Sequence, residues 1–543
     1  MSSAIYFLRN LTLLLLATLA TCSSFHAQDY KFASSIDSIL NIWSGLEKPG
    51  ITIAIVRNGK LIYENNVGMA NIGKNRPNDS TTTFWIASTS KQFTAAGIYL
   101  LANNNKLSLQ KSVRTYLTDL PLLFNDVTID HLVHHTSGIR DGFVLTALSK
   151  KPEALYTNEN VLAYLKQQRD FSFRPGSAFE YNNSGYVLLA RVIEKVSGVP
   201  YPEFMKVNFF QPLGMLHTYI SGSFPATEQM AEGYKEQSDK NPSSYAETHF
   251  KGNTYGSTGV ITTIKDLVTW STVIQSGGVG TPFQKIISQL LTSGKLDNGK
   301  AVAYGGGLEK VNYKGKTAYE HFGADEGFKA NMIYFPEQNI TVIGLTNNGS
   351  QYKLQEILYG IADLVLGITT PHSIPLEQPD EELLLTTHYY DPVSPKFLIV
   401  NDYKSFAKIG TSANGYAAPF GKSGQTLVSG DPLPVKYRVS PEKLKAQDQS
   451  QLELTRIIPD TSTGDLNRFL GEYYSDELQT SYKITNSDKG IAFELLPGVT
   501  LDLYRITPTD FMFEYLGPNY LQFDGNAFFF SREGCRRLRF ERK

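Results

Sequence analysis

The 543-residue sequence predicts an α+β fold, an antiparallel sheet flanked by helices with a helical subdomain, followed by an antiparallel β-barrel-like C-terminal region. Three observations predict it. Strand-like runs at Ile51–Val56 and Lys60–Tyr63 recur far downstream at Phe328–Phe335 and Ile340–Leu345, while helical periodicity dominates from Ser88 to about Leu213. Strands at both ends of a helical stretch bury their faces most simply in one shared sheet. Beyond Thr370 the helical period stops, Pro371, Pro375, Pro379, Pro392 and Pro395 accumulate, and short alternating segments separated by turns take over, the pattern of antiparallel β structure.

Composition bounds the function classes. Lys plus Arg number 51 against 52 Asp plus Glu, a net charge of −1, so no nucleic-acid partner is expected, since phosphate binding needs a basic surface whose counterions can be released. Hydrophobic residues make up 41% and charged ones 19%, enough apolar material for large cores and too little charge for disorder. Cys22 and Cys535 alone cannot build a disulfide scaffold, so stability must come from packing.

Residues 1–27 read as a signal peptide. Arg9 precedes the apolar run Leu11–Ala20, which is too short to cross a bilayer as a helix. An exported protein, periplasmic or extracellular, is expected, with a lipid anchor on Cys22 as the alternative offered by Leu19-Ala20-Thr21-Cys22. No later segment is a transmembrane candidate. Residues 28–370 read as the α+β domain. Phe32, Ile36, Leu40, Trp43 and Leu46 recur at helical spacing, and Asn58-Gly59 between the first two strands suits a tight hairpin turn. Pro336–Asn339 joins the later pair. Residues 371–460 read as a linker and small β domain and residues 461–543 as a second β unit, with Pro459–Gly464 between them and Asp524-Gly525 as a hairpin turn.

Chemistry concentrates in three stretches. Ser88 stands at the mouth of an apolar helix with Lys91 three residues on, which puts an amine one turn from a hydroxyl whose proton it can accept or relay. Ser108, Ser350, Ser405 and Ser440 share the spacing without a long apolar helix behind them and read as surface serines. Tyr181-Asn182-Asn183 precedes a second helix; a tyrosine acts as a base only where nearby cations lower its pKa from about 10, and an adjacent lysine supplies such a charge. His321-Phe322-Gly323 is the one His-x-Gly in the chain and directly precedes the later hairpin. A glycine there lets the backbone approach a substrate, and a strand edge offers N–H groups to an oxyanion.

In this order and spacing the motifs resemble those of the serine β-lactamase and penicillin-binding-protein superfamily, specifically its class C-like branch of esterases, D-aminopeptidases and D-alanyl-D-alanine carboxypeptidases. Ile129–Ile139, Gln211–Met215 and Gly256–Leu267 also resemble family segments, and the likeness spans residues 33 to 365. It implies a β-lactamase-like fold and a serine hydrolase of the S12 peptidase type, with Ser88 as nucleophile and Lys91 and Tyr181 sharing proton transfer. Asn183 would position substrate and lysine, and Ser88 and Ala324 N–H groups would hold the oxyanion. Which of Lys91 and Tyr181 is the resting base stays open, because interacting groups titrate together.

His321 stands where the family's β-lactamases carry Lys-Thr-Gly; a neutral imidazole attracts a carboxylate less than a lysine does, which favours peptides, amides or esters over β-lactams. Asp325 and Glu326 beside it read first as a solvated turn, with attraction of a substrate amine as the alternative. His131, His134 and His135 have helical metal-ligand spacing, but no metal and no cofactor is expected: no cysteine lies close and Asp130 is the one adjacent acid. The expected partner is a small-molecule or peptide substrate. Phe469–Leu478 resembles the opening of a lipocalin-like domain attached to some serine peptidases of this superfamily, its aromatics reading as barrel core.

Overall fold

The computed structural model describes residues 32–150, 156–222, 228–237, 244–248, 252–350, 354–369, 382–393, 395–404, 406–410, 417–429, 435–447, 452–462, 464–515 and 517–543. The signal-peptide reading and Cys22 lie outside the described residues.

Ile51–Arg57 and Lys329–Phe335 are near-continuous runs of β-branched and apolar residues, the signature of strands covered on both faces. They lie inside one antiparallel sheet whose order is Glu309–Tyr313, Lys316–Glu320, Lys329–Phe335, Ile340–Thr346, Ile51–Arg57, Lys60–Val67, with Gly323–Ala324 adding to the Lys329 strand. Ile51 pairs with Thr346 and Arg57 with Ile340, so the two ends of the domain close on each other as the spacing predicts. The first hairpin turns at Asn58 (φ 51°) and Gly59 (φ 72°), left-handed positions that Asn-Gly tolerates.

Alternation sorts the sheet's side chains between two cores. Ile51, Ile53 and Ile55 face one side, where the helix over 32–40 and the Leu354–Leu366 helix cover them; Ala54 and Val56 face the other and join the main helical core. The first helix is shorter than its periodicity suggests: it ends at residue 40, passes through a 3₁₀ turn at Asn41–Trp43, and leaves Leu46 68% exposed. The hairpin Glu309–Tyr313/Lys316–Glu320 has no counterpart in the sequence reading.

The C-terminal region is two β structures. The first is a closed barrel of eight strands from Leu383–Asp391 to Glu453–Ile457, the last pairing back to the first. The second is a nine-stranded sheet whose end strands, Val499–Asp502 and Tyr504–Arg505, are neighbours in sequence, so the sheet almost closes. Phe469, Tyr473, Tyr482, Phe493, Phe528 and Phe540 fill it, and Asp524 pairs with Ala527 around the Gly525 turn.

Candidate active site

Two helices carry the site. Lys91–Asn103 is buried along almost its whole length, and its Gly97 lets the Asn183–Ser197 helix approach so closely that a Cβ there would lie 2.9 Å from Ile193 Cδ1. Ser88 occupies a 3₁₀ turn, Ala87–Ser90, that leads into the first helix. Ala87 is held at φ 45°, a left-handed conformation uncommon for alanine that turns the chain just before Ser88. Ser88 is part-exposed between buried Ala87 and Thr89. The second helix is capped by the Asn182 side chain, which accepts from the Gly185 N–H, so Tyr181 and Asn183 straddle its start.

Lys91 joins these pieces. Its side chain is fully buried, and Nζ lies 3.1 Å from Ser88 Oγ, 2.9 Å from Asn183 Oδ1 and 2.8 Å from the Ser257 carbonyl. Burial brings its pKa down to about 7, against an upward pull from Asp141. A neutral amine has two N–H donors and one lone pair. Asn183 Oδ1 and the Ser257 carbonyl can only accept, so the lone pair is left for the Ser88 hydroxyl, the partner with a proton to give. Lys91 Nζ also sits 4.7 Å from the Tyr181 ring centroid. The Tyr181 hydroxyl is buried without a hydrogen bond of ordinary geometry. Burial pushes its pKa far up, and the nearby Ser88 hydroxyl only partly opposes that push, so the resting phenol keeps its proton.

The third segment closes against the Ser88 turn. A Cβ on Gly323 would lie 2.2 Å from the Ile86 carbonyl oxygen and 2.8 Å from Thr89 Oγ1, so only glycine fits. Thr89 Oγ1 donates to the His321 carbonyl at 2.9 Å. The Asp325 N–H donates to the Phe328 carbonyl, and the register pairs Gly323 with Ala330 and Ala324 with Lys329. Bonded and non-bonded pairs alternate in an antiparallel ladder, which turns the Ala324 N–H away from the Lys329 strand. The outer strand stops at Glu309 opposite Glu320, so it does not cover that edge.

His321 reaches the site through its backbone. Its ring is 3% exposed; Nε2 is 2.9 Å from the Tyr304 hydroxyl and Nδ1 3.0 Å from the Phe322 carbonyl. Burial, with Lys91 nearby, takes its pKa down to about 3, so the ring is neutral and its nitrogens are already engaged. Asp325 is pushed up to about 6 by burial, with Glu326 adding to the rise. The three histidines of Ile129–Ile139 do not converge. The helix ends at Val133; His131 Nδ1 accepts from the Thr128 N–H, His134 pairs with Asp130, and His135, at φ 56°, packs its ring 4.5 Å from Tyr181 and 4.4 Å from Tyr304. Among the described residues no group of three or more His, Cys, Asp or Glu is arranged to hold a metal ion.

Asp141, Ser257 and Tyr304 are contacts the sequence reading missed. Ser257 lies inside the Gly256–Leu267 segment already singled out, which was the available signal; Asp141 stands two residues past Ile139, outside the segments the sequence singled out.

Residues 41–363 match the family described as Beta-lactamase. The chain belongs to that family. It is 27% identical over 344 residues to a penicillin-binding protein of Bacillus subtilis (strain 168), covering 61% of this chain and 75% of that one. It is 23% identical over 474 residues to a D-aminopeptidase of Cereibacter sphaeroides, covering 84% of each. Among solved structures, the octameric penicillin-binding protein homologue of Pyrococcus abyssi shares the fold at a TM-score of 0.55 and 23% identity, covering 78% of this chain and 99% of that one. The D-amino acid amidase of Ochrobactrum anthropi SV3 does so at 0.51 and 20%, covering 63% and 98%. Named relatives thus include hydrolases, and no helix among the described residues is long and apolar enough to cross a membrane.

Proposed function

We propose that the protein is an exported serine hydrolase that cleaves peptide, amide or ester bonds through an acyl-enzyme on Ser88. The observation that carries the reading is the buried Lys91 amine, 3.1 Å from Ser88 Oγ with a pKa of about 7 and its other partners all acceptors. Neutral Lys91 takes the Ser88 proton as Oγ bonds to the substrate carbonyl carbon; the carbonyl electrons move to oxygen, where the Ser88 and Ala324 N–H groups receive the charge. Collapse expels the leaving group, which takes its proton from Tyr181, and the Lys91 ammonium passes the Ser88 proton on to the phenol, so that both groups return to their resting states. Water then frees the acyl group by the same route in reverse. Tyr181, protonated at rest, is the donor in this scheme, and Lys91 the resting base.

Asn183 orients Lys91, and Gly323 brings the Ala324 strand against the nucleophile. The neutral, enclosed ring of His321 offers a substrate carboxylate no charge, which supports amides and esters over β-lactams. D-aminopeptidase and D-amino acid amidase names among the relatives support a substrate with an amino group. The export signal is read from residues 1–27.

A panel of D- and L-aminoacyl p-nitroanilides, p-nitrophenyl esters and nitrocefin tests this with Ser88→Ala as the blank. Amide or ester turnover that falls at least ~10³-fold in Ser88→Ala is expected. Turnover that survives the substitution, or none with any substrate, contradicts the reading.

A further inference from the structure

We propose that Asp141 is a positioning residue of the Ser88 site and that a hairpin of the C-terminal nine-stranded sheet holds it in place, making that sheet part of the catalytic unit. The proposal rests on the Ser88–Lys91 reading above.

A continuous line of hydrogen bonds links the hairpin to the nucleophile. The Asp141 N–H donates to the Gly534 carbonyl at 2.6 Å. Asp141 Oδ2 accepts from the Asn183 N–H at 2.6 Å and Oδ1 from the Phe143 N–H at 2.8 Å. Asn183 Oδ1 accepts from Lys91 Nζ, which meets Ser88 Oγ. Asp141 therefore does two things at once: it caps the Gly142–Leu148 helix and fixes the start of the helix that presents Asn183 to Lys91.

The hairpin fits Asp141 closely. A Cβ on Gly534 would lie 3.1 Å from Asp141 Cβ and 3.3 Å from Val144 Cγ2. Flanking contacts lock the approach: Arg140 forms a buried pair with Glu477 at 2.7 Å and donates to the Arg536 and Arg537 carbonyls at 3.0 Å each. Arg536 reaches Glu180, the residue before Tyr181, at 3.1 Å.

Charge gives the arrangement a measurable consequence. Facing Lys91 are the Tyr181 and Tyr186 rings, the Ser88 hydroxyl, His135 and His321, whose protonation Lys91 opposes, and the Asp141 carboxylate. Glu309 acts on Tyr181 and Tyr304. Burial pushes the Asp141 pKa up, while the Asn183 and Phe143 N–H groups and Lys91 oppose that rise by favouring the carboxylate. An ionised Asp141 favours the Lys91 ammonium, so its removal lowers the pH at which the amine becomes free.

The test is steady-state kinetics between pH 5 and 9 on the full-length protein, with the best p-nitroanilide or ester of the panel. Asp141→Asn keeps the size and an acceptor oxygen and removes the charge. The rising limb of kcat is expected to move down by ~1 pH unit, with kcat at its plateau reduced ~10- to 100-fold and KM little changed. A merely structural role would lower activity without moving the limb. Gly534→Ala should lower kcat at least ~10-fold by displacing Asp141. Its control is Gly525→Ala, at φ 58° against 78° for Gly534, where an added Cβ meets nothing within 4 Å; kcat there should hold. An active wild type with an unmoved limb in Asp141→Asn, or with Gly534→Ala no worse than Gly525→Ala, overturns this inference alone. A wild type without turnover removes the Ser88 reading and this inference with it.

Discussion

In the barrel from Leu383 to Ile457 the buried cluster of Tyr389, Val400, Ile409, Phe420, Leu427 and Leu454 contains only the barrel's own residues. In the nine-stranded sheet that follows, the aromatic core takes in Leu145, Leu148 and Tyr164 from the helical part of the β-lactamase domain. The first barrel touches the second through Tyr390, Phe397, Ile399, Ile506, Met512 and Tyr520. Two β structures of similar size thus stand in different relations to the site. One closes on itself, and the other is completed by a helix whose capping residue, Asp141, contacts Asn183.

The contrast predicts unequal costs for breaking each. Arg140 is buried in its pair with Glu477; Arg140→Ala strips that carboxylate of its cation, leaving it the Arg169 N–H, and should cost about 3–5 kcal/mol in a denaturant titration, with activity falling alongside. A loss below ~1 kcal/mol would mean that the sheet is only loosely attached. Leu145→Ala opens a cavity in the shared core and should cost about 2–5 kcal/mol, the lower end if the helix settles inward. In the first barrel, Lys443 pairs with Glu453 on the exposed surface. Lys443→Ala should leave both the unfolding midpoint and turnover unchanged; a change in turnover would show that this barrel also reaches the site.

The sequence made the central sheet legible because its inner strands are buried on both faces and therefore read as unbroken apolar runs. Ser88 and Lys91 stood out by their spacing at a helix start and Gly323 by its place before a strand, while the pairing of Tyr181 and Asn183 with them came from the resemblance of the ordered motifs to a known family. The strands Glu309–Tyr313 and Lys316–Glu320 were not, since they form the sheet's outer hairpin and mix Lys and Glu with few apolar residues. Helical spacing among His131, His134 and His135 suggested one shared face; the helix stops at Val133, and the left-handed turn at His135 sends its ring into the tyrosine cluster instead. The commitment of His321 to Tyr304 and of Asp141 to Gly534 joins segments that only the tertiary fold brings together. Local pattern carries no trace of either.

The account turns on a neutral amine drawing the proton from Ser88, and the rate of fluorophosphonate labelling against pH measures that step apart from product release. With Lys91 near 7, the neutral fraction grows as pH rises, so labelling should accelerate between pH 6 and 8 with a midpoint of about 7 and then level off. Labelling that is flat across this range, or that persists in Ser88→Ala, would contradict the account.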